Sequence, residues 1–207
     1  MISTDLLFTT FVTLFVVMDP IGSTPIFVTL TSGMSKAERR KIAIRAIVIA
    51  GCLLTLFGLG GDSVLGVIGI GMPAFRISGG LLLFLIAVEM LFERRSERRE
   101  KQSNEAPPDP SVFPLAMPLL AGPASLATMV LLTSQVQGDY AAIAAIHGVL
   151  FFVLAVVFVL FSLGGVIERV LGHTGIVVVT RLLGILLAAL SVQFVLNGLG
   201  DLGLLPG

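Results

Sequence analysis

Thirty consecutive residues, from Leu6 to Ser35, carry a single charged side chain, Asp19. That aspartate opens the stretch Asp19-Pro20-Ile21-Gly22-Ser23-Thr24-Pro25. One continuous helix of this length would measure about 45 Å, well beyond a hydrocarbon core of roughly 30 Å. Proline removes a backbone donor and crowds the preceding turn, and the residue before it is pushed out of the helical region. The stretch therefore predicts a membrane helix broken near its middle, with carbonyls ending one half and N–H groups starting the other. Lipid satisfies neither, so such backbone must face protein or a polar cavity. Interrupted helices at the bilayer midplane are a recurrent way to build a transport site.

The rest of the 207 residues belongs to the same class. The chain is 56% hydrophobic and 13% charged, with zero net charge, which argues against a nucleic-acid partner. The N-terminus has no basic region ahead of its apolar run, and that run is too long for a cleavable signal, so it reads as the first span. Six charge-poor spans are expected, at 4–32, 42–61, 73–92, 112–135, 140–164 and 176–199. Twelve of the thirteen basic residues fall on one side of this arrangement, with Arg76 on the other. The positive-inside rule then puts both termini on the outer face. The single cysteine, Cys52, excludes an intrachain disulfide and is expected to be buried.

The two halves resemble each other. Leu30-Thr31-Ser32 returns as Leu132-Thr133-Ser134, Leu59-Gly60-Gly61 as Leu163-Gly164-Gly165, and Val64-Leu65-Gly66 as Val170-Leu171-Gly172. Arg76-x-x-Gly79 returns as Arg181-x-x-Gly184. Residues 1–92 form one three-span unit and 112–207 the other, joined by a charged cytoplasmic linker at 93–111. An odd number of spans per unit inverts the second against the first. The expected fold is all-α, two inverted three-helix repeats, with helices 1 and 4 broken at mid-membrane. The fourth span carries Pro118-Leu119-Leu120-Ala121-Gly122-Pro123 in a stretch without charge from Ser111 to Gly138. Its proline pair aligns with Pro20 and Pro25 about one turn out of step with the flanking matches, and both alignments stay open.

Asp19-Pro20 and Gly122-Pro123 each read as an N-cap followed by proline at the first helical position, and Thr24-Pro25 as a further such start. A half-helix beginning there turns N–H groups and a positive dipole end inward, which suits a carboxylate. The carbonyls ending the preceding half suit an ammonium. Ser23, Thr24 and Ser125 add hydroxyls, while Gly22, Ala121, Gly122 and Ala124 keep the space small. A small zwitterion fits this inventory, and Asp19, Pro20, Gly22, Ser23, Thr24, Ala121, Gly122, Pro123, Ala124 and Ser125 form the candidate binding set. Asp19 has three open roles: receiving the ammonium, taking a coupling proton, or capping a helix. Asp19, Glu89, Arg76 and Arg181 are the candidates for coupling or gating. Against that, Glu89 and both arginines can simply extend to head groups. His147 reads as a packed histidine or a proton relay, and His173 as part of a Gly-rich connector. Gln193 and Asn197 are expected either to bond a neighbouring helix or to line the cavity.

Met18-Asp19-Pro20-Ile21-Gly22-Ser23-Thr24-Pro25-Ile26-Phe27 closely resembles the signature of the MarC family of bacterial and archaeal membrane proteins. Pro118-Leu119-Leu120-Ala121-Gly122-Pro123 resembles that family's second motif, with Ala124 where glycine often follows. The resemblance implies a six-span inner-membrane protein, related to SnatA-type small neutral amino acid transporters and more distantly to the LysE superfamily. It also supplies glycine and alanine as substrates. The expectation is a secondary transporter working by alternating access, driven by a proton or sodium gradient or by the substrate's own. The alternatives are an exporter of other small metabolites or drugs, and a non-transporting membrane scaffold or sensor. No nucleotide-binding, hydrolase or metal-binding motif is present, so neither an enzyme nor a cofactor is expected.

Overall fold

A computed structural model of the chain describes residues 3–94 and 109–204. Most of the 93–111 linker lies outside the described residues. The described residues hold seven α-helices and no strand. Helix α1, Thr4–Met18, starts at Ser3, whose hydroxyl accepts from the Leu6 N–H. Helix α2, Pro20–Leu30, follows after one residue, Asp19. Helix α3, Lys36–Ile68, opens with a capping box in which Ser35 and Glu38 satisfy each other's backbone donors. Helix α4 is Met72–Leu91. A wide-turned segment, Ser111–Leu120, then bends by 51° into α5, Pro123–Ser134. Helix α6, Tyr140–Ser162, is capped by Asp139, and α7 is Gly164–Asp201.

Five stretches are long and apolar enough to cross a bilayer, with Thr4–Leu30 counted as one, and the bent pair makes a sixth. The third span matches its expected 73–92 to within a residue. Two others run longer than expected. Helix α3 continues through 62–68, and α7 occupies 164–175, where a Gly-rich connector was expected; it leaves helical geometry only at Gly172, with φ +61°. His173 accordingly sits on an exposed helix rather than in a loop.

The first span is the hub. Its most apolar window is 67% buried, against 28–33% in α3, α4, α6 and α7. Those outer helices present Val48, Leu56, Leu85, Phe152, Leu182 and Ile185 outward, an apolar shell suited to acyl chains. The interior is comparatively polar and small, with Thr10, Thr13, Ser23, Thr24, Thr128 and Ser191 all buried. Small residues let backbones approach where lipid gives no hydrophobic drive for helices to associate.

Helices α4 and α7 form the most extensive pair, and they run antiparallel: Gly198 faces Pro73 and Ile77, Gly80 faces Ser191 and Val195, and Gly184 faces Ala87 and Met90. An ion pair closes each end, Arg76 with Asp201 and Arg181 with Glu93 at 3.4 Å. Each of these arginines, expected to extend to head groups or to cap a neighbouring connector, has a carboxylate from the opposite helix end within reach.

This seam depends on missing side chains. A Cβ at Gly80 would lie 2.8 Å from the Ser191 carbonyl oxygen, whereas one at Gly66 meets nothing within 4 Å. Gly80→Ala is expected to cost about 1–3 kcal/mol by overpacking. Gly66→Ala is expected to be neutral or to stabilise by up to about 1 kcal/mol through helix propensity. Thermal unfolding midpoints in detergent test both, and equal midpoints would show that the α4–α7 contact yields easily.

Candidate functional site

The first junction is built around Asp19. Its N–H continues α1 by donating to the Phe15 carbonyl at 2.9 Å, and its own carbonyl accepts from Ser23 N–H at 3.0 Å. Between these two bonds the residue sits at φ +50°, ψ +65°, the left-handed region that aspartate tolerates better than most side chains. That turn brings the carboxylate over the start of α2, where Oδ1 accepts from Gly22 N–H at 3.1 Å. Gly22 has to be small, because a Cβ there would collide with Oδ2. Asp19 is 1% exposed.

The hydroxyls beside it are already engaged. Ser23 Oγ donates to the Asp19 carbonyl at 2.8 Å and Thr24 Oγ1 to the Pro20 carbonyl at 2.7 Å. A hydroxyl that has spent its proton offers only lone pairs. The α2 side of the site is therefore rich in acceptors. Pro25 lies inside α2, so the further helix start expected at Thr24-Pro25 does not occur. Thr24 uses its oxygen along the helix instead of capping one.

The second junction differs. Phe113 and Met117, each preceding a proline, take extended geometry. Both prolyl peptides are cis. Wide turns restore some backbone bonding: Leu115 N–H reaches the Pro110 carbonyl at 3.2 Å and Ala121 N–H the Ala116 carbonyl at 2.8 Å. Gly122 is the N-cap of α5 and Pro123 its first residue. Gly122 has no side chain with which to cap, and a Cβ there would strike the Pro118 carbonyl. Leu126 N–H bonds the Gly122 carbonyl at 3.0 Å. The N–H groups of Ala124 and Ser125 precede that first intrahelical bond and have no partner within α5. Both residues are buried. This junction is a donor end, the opposite of the first.

The two junctions lie close together. Met18 shares one buried cluster with Leu120 and Ala121, while Val16 and Val17 share a second with Ala124. Of the candidate set, Asp19, Pro20, Gly22, Ser23, Thr24, Ala121, Gly122, Ala124 and Ser125 are buried around this meeting point, and Pro123 is exposed. Pro123 lines a cavity of about 590 Å³ with Phe57, Gly61, Phe75, Leu126 and Val130. Among the described residues no charged side chain lines it. The repeat had marked Gly60-Gly61 without indicating a groove, because alternating exposure to lipid and protein leaves no polar signature in an apolar helix. Arg76 and Arg181 are held in the α4–α7 ion pairs, and Glu89 is half-buried on α4 between them.

Two further expectations change. Cys52 is exposed, on the outward face of α3. Gln193 and Asn197, both exposed, bond each other at 2.8 Å along α7 rather than a neighbouring helix.

Residues 4–202 match the family model described as "MarC family integral membrane protein". The chain belongs to the MarC family. Among its MarC relatives, a "UPF0056 membrane protein" of Aquifex aeolicus is 40% identical over 199 residues, covering 93% of this chain and 91% of that one. "UPF0056 membrane protein YhcE" of Escherichia coli is 34% identical over 206 residues, covering 95% and 92%. "UPF0056 membrane protein YvbG" of Bacillus subtilis is 34% identical over 201 residues, covering 95% and 94%. No solved structure matches the chain. The chain is a multi-pass integral membrane protein by family and by its spans.

The Asp19 bond predicts a graded response. Asp19→Ala removes the cap and leaves a Cβ in left-handed geometry without compensation, a loss of about 1–2 kcal/mol. Asp19→Asn keeps an acceptor oxygen and tolerates the same φ, so its loss is expected below about 0.5 kcal/mol. Unfolding in detergent separates them; identical midpoints would mean the cap does not hold this junction.

Proposed function

We propose that this MarC-family protein is a secondary transporter of small neutral amino acids, of the size of glycine or alanine, working by alternating access. One observation carries the proposal: a buried acceptor end at Asp19–Thr24 and a buried donor end at Gly122–Ser125 adjoin the same buried clusters, which join Met18 to Ala121 and Val17 to Ala124. A zwitterion presents the complementary pair, an ammonium for the first and a carboxylate for the second. The engaged hydroxyls and the occupied Gly22 N–H favour α5 over α2 for the carboxylate. Little room remains around Gly22 and Gly122, which favours a substrate with almost no side chain.

The repeat supports the mechanism. The Arg76–Asp201 and Arg181–Glu93 pairs are near-reciprocal, each joining an arginine of one third-helix to an acid at the far end of the other. With the sequence repeat and the antiparallel α4–α7 seam, this supports two inverted halves related by an axis in the membrane plane. Breaking one pair while keeping the other would bias the seam toward opening on one side. The distribution of basic residues supports an inner-membrane placement with both termini outside.

The apolar cavity beside Pro123 favours a second reading, in which the solute is an apolar compound such as a drug. Purified protein in proteoliposomes loaded with unlabelled glycine distinguishes the two. Labelled glycine is expected to enter by counterflow, with alanine competing and neither acetate nor methylamine doing so. Asp19→Asn is expected to lower uptake at least about tenfold, the loss of roughly 1.4 kcal/mol of substrate interaction. Equal competition by an uncharged apolar solute would favour the second reading, and no counterflow of any amino acid would overturn the first.

A further inference from the structure

His147 lies on α6, 9% exposed. Its Nδ1 is 2.8 Å from the Ile143 carbonyl oxygen. A carbonyl only accepts, so Nδ1 carries the hydrogen and the neutral ring has a bare lone pair on Nε2. That nitrogen is buried with no partner. It points at Gly58 of α3: a Cβ there would lie 3.0 Å from Nε2 and 2.9 Å from the Met129 methyl carbon of α5. Three helices thus meet at one unsatisfied atom. Two more buried polar atoms without partners flank it in sequence, Thr55 Oγ1 one turn before Gly58 and Thr128 Oγ1 next to Met129.

We propose that His147 Nε2 is a proton-binding site that couples protonation to movement of α5. The neutral ring fits the packing described, since a bare lone pair beside Gly58 and a methyl group clashes with nothing. A proton taken from water creates a second N–H, directed at atoms that cannot accept it. An arrangement in which α5 withdraws Met129 and a hydroxyl oxygen or water reaches Nε2 satisfies that donor. The proton therefore interacts differently with the two arrangements, which is what shifts an equilibrium between them. It leaves again to water when the first packing returns. Helix α5 is also the one that begins at Gly122, so the same displacement moves the donor end of the proposed substrate site. Naming an amino acid as the coupled solute rests on the transporter reading; the proton site itself does not.

None of the other ionisable groups around α6 hydrogen-bonds Nε2 among the described residues. Helices α2 and α5 carry none. Helix α3 brings Asp62, one turn beyond Gly58 and exposed, and the exposed thiol of Cys52. Helix α1 brings Asp5, α7 brings Glu168, Arg169 and His173, and α6 itself begins at Asp139 and Tyr140. None makes an ion pair with His147 among the described residues.

Two measurements test this. In His173→Asn protein labelled with 15N-histidine and held in lipid bilayers, His147 is the only signal, since the chain has two histidines. On acidification, Nε2 is expected to pass from unprotonated to protonated while Nδ1 keeps its hydrogen. An Nε2 that stays unprotonated throughout, with the protein folded, overturns the proposal. In proteoliposomes, wild type is expected to accumulate glycine under an inward acid gradient. His147→Gln is expected to keep counterflow within about twofold of wild type and to lose accumulation. Accumulation by His147→Gln equal to wild type, or indifference of wild type to the gradient, overturns the coupling role. Absence of wild-type counterflow would defeat the transporter reading alone, and the NMR arm, which needs no His147 variant to fold, would still decide the proton site.

Discussion

A polypeptide inside lipid has no water with which to exchange hydrogen bonds, and the arrangement here follows from meeting that requirement at prolines. Pro20 gives nothing to the carbonyl of Val16, and Pro123 nothing to the carbonyl of Leu119. At the first junction the deficit is contained within one residue. Asp19 bonds backward to Phe15 through its N–H, forward to Ser23 through its carbonyl, and across to Gly22 through its carboxylate. At the second the deficit is spread over ten residues of wide turns, from Ser111 to Leu120. Both junctions are then packed inside a jacket of longer helices, which keeps their remaining polar atoms from the acyl chains.

That jacket explains the inverted distribution of residue types. The outward faces of α3, α4, α6 and α7 carry Leu, Val, Ile and Phe, while Gly, Ala, Ser and Thr stand at the closest helix contacts beside buried Leu, Met and Phe. In water this pattern would be unstable. In a bilayer an outward leucine neither gains nor loses by contacting lipid instead of protein, so close backbone approach decides which face turns inward. Gly164 against Val28 and Thr24, and Gly58 against Met129 and His147, are instances of that approach near the two junctions.

The same physics sets what the sequence discloses. Spans are legible because a charge in hydrocarbon is costly, so the limits of α4 could be read from its flanks. Helix ends rich in glycine are not, since in an apolar setting Gly60, Gly66 and Gly165 stay helical despite poor propensity in water, whereas Gly69 ends α3 and Gly172 kinks α7 at positive φ. The inward face is not legible either. Both sides of a membrane helix are apolar, so periodicity gave no means of placing Cys52, which turned out to face outward. The Asp19–Pro20 and Gly122–Pro123 starts were visible from capping chemistry, whereas Thr24–Pro25 failed because Thr24 bonds along its own helix. The ion pairs of Arg76 and Arg181 depend on how α4 and α7 oppose each other, a relation absent from either sequence alone.

The difference between the two junctions bears most on function. Two identical proline breaks would present the same polarity twice, and a dipolar solute would gain no preferred orientation between them. Here the two junctions differ: one places a carboxylate at its break, the other a glycine with nothing to offer. The carboxylate takes the Gly22 N–H of α2, and the glycine leaves the first N–H groups of α5 uncapped. The pair of junctions thereby acquires a direction along which charge can be laid, acceptor to donor. In the proposed transporter, a solute aligned with that direction would contact both junctions, and relative motion of the helices that bear them would carry it or release it.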